Sequence, residues 1–297
     1  MTNQRKRKPK QNKFLKFFKV LSRSVRELPK QTKRNVIVVC SVMIVLGIII
    51  SAIAFPKLSS DGETKKTEEP ASRAATAPTV KQTSHKVEGI PIIVQDYYKA
   101  GCETYAATML LQGLGYNITE HQFVDNYLIL HDFSYDDEGN MYGPDMNSAF
   151  AGDIFSGAGI FCPAMAKSMN KYLATQKNDP RRAYPIKGKT LEYLCKEYID
   201  KDIPVMTWVT TYMEESYDKL SWIVDYVDEN AEYKVGEPMT WRQNEHCMVL
   251  IGYTDRDYLF CDSVAGKVVS HEKSLAETRF TEIGNQAVVV TDKAPAK

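Results

Sequence analysis

Twenty consecutive residues, Val36 to Phe55, carry no charge (VIVVCSVMIVLGIIISAIAF), and this run constrains how the rest of the chain can be arranged. At about 1.5 Å rise per residue, a helix of that length spans roughly 30 Å, the thickness of a bilayer's hydrocarbon core. Positions 1–35 hold 13 Lys and Arg residues against the single acid Glu27, and they abut its N-terminal end. The positive-inside bias therefore predicts a basic cytoplasmic segment at 1–35 and one transmembrane helix at 36–55, with everything beyond it extracytoplasmic. Ala52-Ile53-Ala54 offers a small-residue cleavage pattern. The run is longer than the roughly 7–15 residues of a signal-peptide core, so an uncleaved anchor is expected.

Charge then divides the chain. With the basic arm set aside, the remainder holds 25 basic against 36 acidic residues, a net of −11. That balance gives no support to a nucleic-acid surface. Residues 56–86 (PKLSSDGETKKTEEPASRAATAPTVKQTSHK) are nearly devoid of large apolar groups, which predicts a disordered linker. Residues 87–297 make up the folded domain, with core-forming patterns to about Asp292. Five cysteines fall in the exported part, and the odd number leaves at least one thiol free.

Within that domain, apolar spacing predicts a helix from Cys102 to about Gly113 or Gly115. A second follows Thr119-Glu120-His121-Gln122, a capping-box pattern. Pro163 marks a third, through Tyr172-Leu173, and Thr190 caps a fourth, through Tyr198-Ile199. Residues 131–160 are rich in Gly, Asp and Asn and read as a long irregular loop. Strands are expected at 203–210, 246–253, 258–261 and 286–290, the middle two forming a hairpin around Thr254-Asp255-Arg256-Asp257. Helices first and strands later predict an α+β domain with an antiparallel sheet.

The chemistry concentrates in three places. Cys102 opens an apolar helix, where the helix dipole favours thiolate over thiol. His246 opens one hairpin strand and Asp262 closes the next, and an antiparallel pair sets those two ends side by side. Cys102 then reads as a nucleophile that forms a thioester, His246 as its base and Asp262 as the group that orients the ring. Gln95, seven residues before Cys102, offers an amide N–H₂ to an oxyanion hole, together with the backbone N–H of Cys102. Of the five histidines, only His246 has a carboxylate at the end of the following strand.

Gln95 to Leu111, Tyr116 to Tyr127, Gly143-Pro144-Asp145, Ile203 to Trp208, Glu245 to Tyr253 and Cys261-Asp262-Ser263 together resemble the papain-fold cysteine peptidases. Within them they are similar to the branch of double-glycine, bacteriocin-processing peptidases (peptidase family 39), and in particular to its stand-alone bacterial members. The resemblance spans the exported domain and implies a papain-like fold, with Cys102 at the nucleophile's position, His246 at the base's, Asp262 at the orienter's and Gln95 at the oxyanion donor's. Glu103 stands where the leader peptidases often carry Gly, and Cys261-Asp262-Ser263 where Asn-Asp-Pro is usual. With one expected span and no transporter segments, leader cleavage on the cytoplasmic side is not expected.

Other chemistries find less support. His246 and Cys247 are neighbours on a strand and point to opposite faces, so no shared metal site is expected from that pair. No phosphate-binding glycine loop occurs in the exported part. The expectation is thus a membrane-anchored cysteine peptidase or amide hydrolase that needs no cofactor or metal, acting on peptide or cell-wall material. The alternatives are a catalytically silent papain-like module binding the same class of ligand, or a peptidoglycan endopeptidase or amidase. Oligomeric state is not legible in the sequence.

Overall fold

The structure, a computed structural model, describes residues 83–295. The basic segment, the apolar run and most of the linker lie outside the described residues. Among the described residues no helix is long and apolar enough to cross a membrane.

The mixed α/β fold is built on a seven-stranded sheet in which every neighbouring pair is antiparallel. Its central strands are β7 (Val205–Thr210) and β10 (Glu245–Tyr253), both buried along their whole length. β10 pairs on one side with β7, His246 opposite Val209, and on the other with β11 (Asp257–Asp262), Val249 opposite Cys261. β12 (Lys267–Glu272) extends the sheet beyond β11, while β13 (Gln286–Thr291) and β6 (Arg182–Lys187) extend it beyond β7. The expected strands and hairpin are therefore present. β6 and β12 are additional, their patterns too polar to stand out.

Helix α1 (Cys102–Gly113) is buried from Cys102 to Leu111 and packs on β10 and β7. A helix apolar on all sides belongs inside a domain, and Tyr105, Ala106, Met109, Leu110 and Leu111 have no solvent-exposed surface. α2 (Glu120–Asn126) carries the full capping box, with the Thr119 hydroxyl accepting from Gln122 N–H and the Gln122 side chain accepting from Thr119 N–H. α3 (Cys162–Leu173) covers β6 and β13, and α4 (Leu191–Glu197) begins at the Thr190 cap. α5 (Lys273–Glu282) was not expected, since its sequence is mostly polar and only Ala276 and Phe280 are buried.

Two expectations need correction. The last linker residues are ordered: His85–Lys86 form β1, which pairs with Tyr253 and Gly252 at the far end of β10. Gly252 permits this, because a Cβ there would lie 2.5 Å from the His85 carbonyl oxygen. Residues 131–160 are also more than a loop. They contain β3 (Ser134–Tyr135), β4 (Met141–Pro144) and β5 (Phe150–Ala151), and β5 pairs in parallel with β2 (Leu130–His131). β3 and β4 join β8 (Tyr217–Tyr226) and β9 (Pro238–Gln243) in a second, four-stranded sheet. Asp145 ties this region together. Its buried carboxylate accepts from the N–H groups of Asn147, Glu232 and Tyr233. Buried polar groups of this kind must be hydrogen-bonded to be tolerated, and here a single side chain closes two distant loops.

Candidate active site

The site sits where the N-terminus of α1 meets the start of β10 and the end of β11. Cys102 is the first helical residue, so its N–H has no acceptor within the helix. Gly101 precedes it as a cap without a side chain. An added Cβ there would lie 2.9 Å from that of Tyr98.

His246 and Asp262 are almost fully buried, and their side chains meet, with His246 Nε2 at 2.9 Å from Asp262 Oδ1. The same oxygen accepts from the N–H groups of Val264 (2.8 Å) and Ala265 (3.2 Å). Burial by itself raises the Asp262 carboxyl's pKa. The hydrogen bond and charge of His246, with the two N–H groups, outweigh burial and hold it below the usual value. The carboxylate is thus ionised and fixed, and only Nε2 of the ring is engaged.

The Cys102 sulfur has a different neighbour. Its thiol donates to Glu103 Oε2 at 3.2 Å, and no hydrogen bond joins it to His246. Burial, then the charges of Glu103, Glu245 and Cys247, push the thiol well up, with the Cys247 N–H opposing weakly. The expectation of a dipole-acidified sulfur is corrected on this point. The favourable helix terminus is worth about 0.3–1 kcal/mol at the surface and up to ~2 when partly buried, less than desolvation plus adjacent carboxyls.

Glu103 and Glu245 form a buried pair that sequence reasoning did not identify as part of the site. Glu103 Oε1 accepts from Ile160 N–H at 2.9 Å. Burial raises its pKa to about 7, partly offset by hydrogen bonds from its own N–H, Ile160 and the Cys102 thiol. Glu245 is pushed well up by burial and by the charge of Glu103. One oxygen from each, and the sulfur, lie within 4.8 Å of one another. Gly159 (φ 127°) closes over the pair, and a Cβ there would approach Glu103 Oε1 to 2.4 Å. The signal was present in the sequence: each is a charged residue in the first turn or at the first position of an otherwise apolar element.

Gln95 is also close by, held by Ser263 through its backbone and side chain. Its N–H pairs with the Ser263 carbonyl at 2.9 Å, and its Oε1 accepts from the Ser263 hydroxyl. Its amide nitrogen donates to the carbonyls of Tyr98 and Lys99, both at 3.0 Å, so both amide hydrogens are engaged in the loop that leads into Cys102. The exposed rings of Tyr97 and Phe155, on the loops before Cys102 and after β5, lie 5.4 Å apart. All five cysteines in the described residues are free thiols.

Comparison with known proteins identifies the family. Residues 77–288 match the model of the peptidase C39-like family. The crystal structure of a Bacillus anthracis protein assigned as a C39-like peptidase is similar at 22% identity and a TM-score of 0.57, covering 71% of this chain and 99% of its own. The peptidase domain of Streptococcus ComA, a bi-functional ABC transporter of a quorum-sensing pathway, is 11% identical over 69% of this chain and 99% of its own. Its TM-score of 0.38 is too low to bear on the fold. No curated protein matches the chain. The matched span takes in the helix of Cys102 and the hairpin of His246 and Asp262, and the chain belongs to the peptidase C39-like family, a family of cysteine peptidases.

Proposed function

We propose that the chain is a membrane-anchored, extracytoplasmic cysteine peptidase or amide hydrolase whose catalytic set is Cys102, His246 and Asp262, with Gln95 assisting. The observation that carries this reading is the buried His246–Asp262 hydrogen bond through Nε2, which leaves Nδ1 for the thiol. This reading requires the sulfur to turn about its χ1 away from Glu103 and towards the ring. His246 then takes the thiol proton and the sulfur attacks the substrate carbonyl carbon. The tetrahedral oxyanion collapses to a thioester as the leaving amine takes the proton back. Water, activated by the same ring, releases the acid. The Cys102 N–H meets the oxyanion. Gln95 joins it by giving up its bond to the Lys99 carbonyl, an exchange costing about 0.5–1.5 kcal/mol.

Peptides or cell-wall stem peptides are the substrates this chemistry serves, and the anchor predicted at 36–55 holds the domain at the membrane. A silent binding module of the same fold is the reading favoured by the protonated, Glu103-bound sulfur. A covalent thiol-directed activity probe separates the two. Labelling confined to Cys102, absent in Cys102→Ala and slowed at least tenfold in His246→Ala, supports turnover. An inert Cys102 in the folded protein supports the module.

A further inference from the structure

We propose that Cys102, Glu103 and Glu245 form a binding site for one divalent metal ion of the zinc type, and that the ion, when held there, withdraws the sulfur from acyl transfer. The second half of this proposal rests on the functional reading above. The first does not.

The donor set is one thiol sulfur and two carboxylate oxygens, all within 4.8 Å of one another and all buried. Ligand atoms held about 2.0–2.3 Å from a zinc ion stand roughly 3.3–3.8 Å apart, so closing around an ion takes a contraction of about an ångström. Side-chain rotation supplies that. A thiolate among the ligands selects zinc or a similar borderline ion over magnesium or calcium, which prefer oxygen alone.

Four features around the donors point the same way. No Lys, Arg or His pairs with either carboxylate among the described residues, although two acidic groups are buried side by side. Oε1 of Glu245 is buried without a well-formed hydrogen bond; the indole N–H of Trp241, itself unpaired, is its near neighbour and only partly offsets the burial of the carboxyl. Glu103, in turn, is oriented from behind: Ile160 N–H fixes Oε1 and directs Oε2 at the sulfur, as outer hydrogen bonds orient metal ligands elsewhere. Gly159 supplies no side chain to fill the space against the two carboxylates. Glu245 forms part of the wall of a cavity of about 360 Å³ between Trp241, Lys187 and Glu282.

On binding, the Cys102 S–H bond breaks and a sulfur–metal bond forms. The thiol proton, with any proton held by the carboxyls, passes to solvent. No oxidant or reductant is required. His246 stays out of the coordination sphere. Its Nε2 is engaged by Asp262, and it alternates along β10 with Glu245 and Cys247.

The test uses the full chain in detergent with zinc or cobalt alone. One Zn²⁺ per chain by equilibrium dialysis, protection of Cys102 from iodoacetamide read by mass spectrometry, and a thiolate-to-cobalt absorption band are expected. Glu245→Gln and Glu103→Gln each weaken binding at least tenfold, whereas His246→Ala keeps it. Binding lost in His246→Ala but retained in Glu245→Gln would place the ion between Cys102 and His246 and overturn the proposal, as would no protection of Cys102 at saturating zinc. Should Glu103→Gln fail to fold, Glu245→Gln and His246→Ala still decide. Probe labelling of Cys102 without zinc binding defeats only this inference, and zinc binding without labelling defeats only the functional reading.

Discussion

Asp262→Asn is the substitution that most directly tests the catalytic assignment. The asparagine oxygen can still accept from Val264 and Ala265 N–H and from the ring, so the hairpin end stays in place. What disappears is the charge. A hydrogen bond to a charged group contributes about 1.5–3 kcal/mol and a neutral one about 0.5–1.5, so the imidazolium form of His246 loses roughly 1–2 kcal/mol of support. At about 1.4 kcal/mol per factor of ten, the rate of Cys102 alkylation, and of turnover, should fall roughly 5- to 30-fold. Asp262→Ala, which also leaves the Val264 and Ala265 N–H groups without their acceptor, should cost more. Stability has a defined sign. The Asp262 carboxyl is held below its unfolded value, so its contribution is present above the unfolded pKa and is lost as pH falls through the folded one. The asparagine variant should therefore lack part of the wild-type loss of stability in acid. Iodoacetamide kinetics across pH, with thermal unfolding in parallel, measure both. Equal alkylation rates and superimposable acid limbs in variant and wild type would refute the reasoning.

Other substitutions probe the scaffold. Asp145→Ala leaves the N–H groups of Asn147, Glu232 and Tyr233 without their buried acceptor and should cost about 3–5 kcal/mol, read by denaturant unfolding. In Gly252→Val the new side chain collides with the His85 carbonyl, which should release β1 and raise proteolysis near residues 83–88 while α1 stays protected from hydrogen exchange. Gln95→Leu removes two donors and one acceptor from the loop before Cys102. A drop of about 1–2 kcal/mol in stability is expected, with a larger fall in kcat than rise in KM if the loop positions the oxyanion donor.

The parts of the fold visible in the sequence are those written in local patterns. The apolar run after Cys102, the capping box at Thr119 and the strand–turn–strand from His246 to Asp262 are each complete within some twenty residues, and each is present. The second sheet could not be read that way. β4 is four residues long, and its partner β8 lies some eighty residues on in a parallel pairing that no turn announces. β8 mixes Asp218, Lys219 and Ser221 with apolar residues because only one face of it, with Leu220, Trp222 and Val224, packs against a core. Of the candidate site, the pairing of His246 with Asp262 follows from hairpin geometry. The orientation of the sulfur does not, because Glu103 and Glu245 lie 142 positions apart and meet only when α1 packs on β10. Burial, together with their combined field, then outweighs what the helix terminus alone would do to the thiol.

The attachment of β1 at the far end of β10 has a mechanical corollary. His246 and Gly252 are separated by six positions, roughly 20 Å along an extended strand. A pull applied to the chain at residue 83 would load the short β1–β10 ladder in shear before any tension reached the imidazole end of the strand. The domain is therefore gripped at the heel of β10, away from the strand's imidazole end.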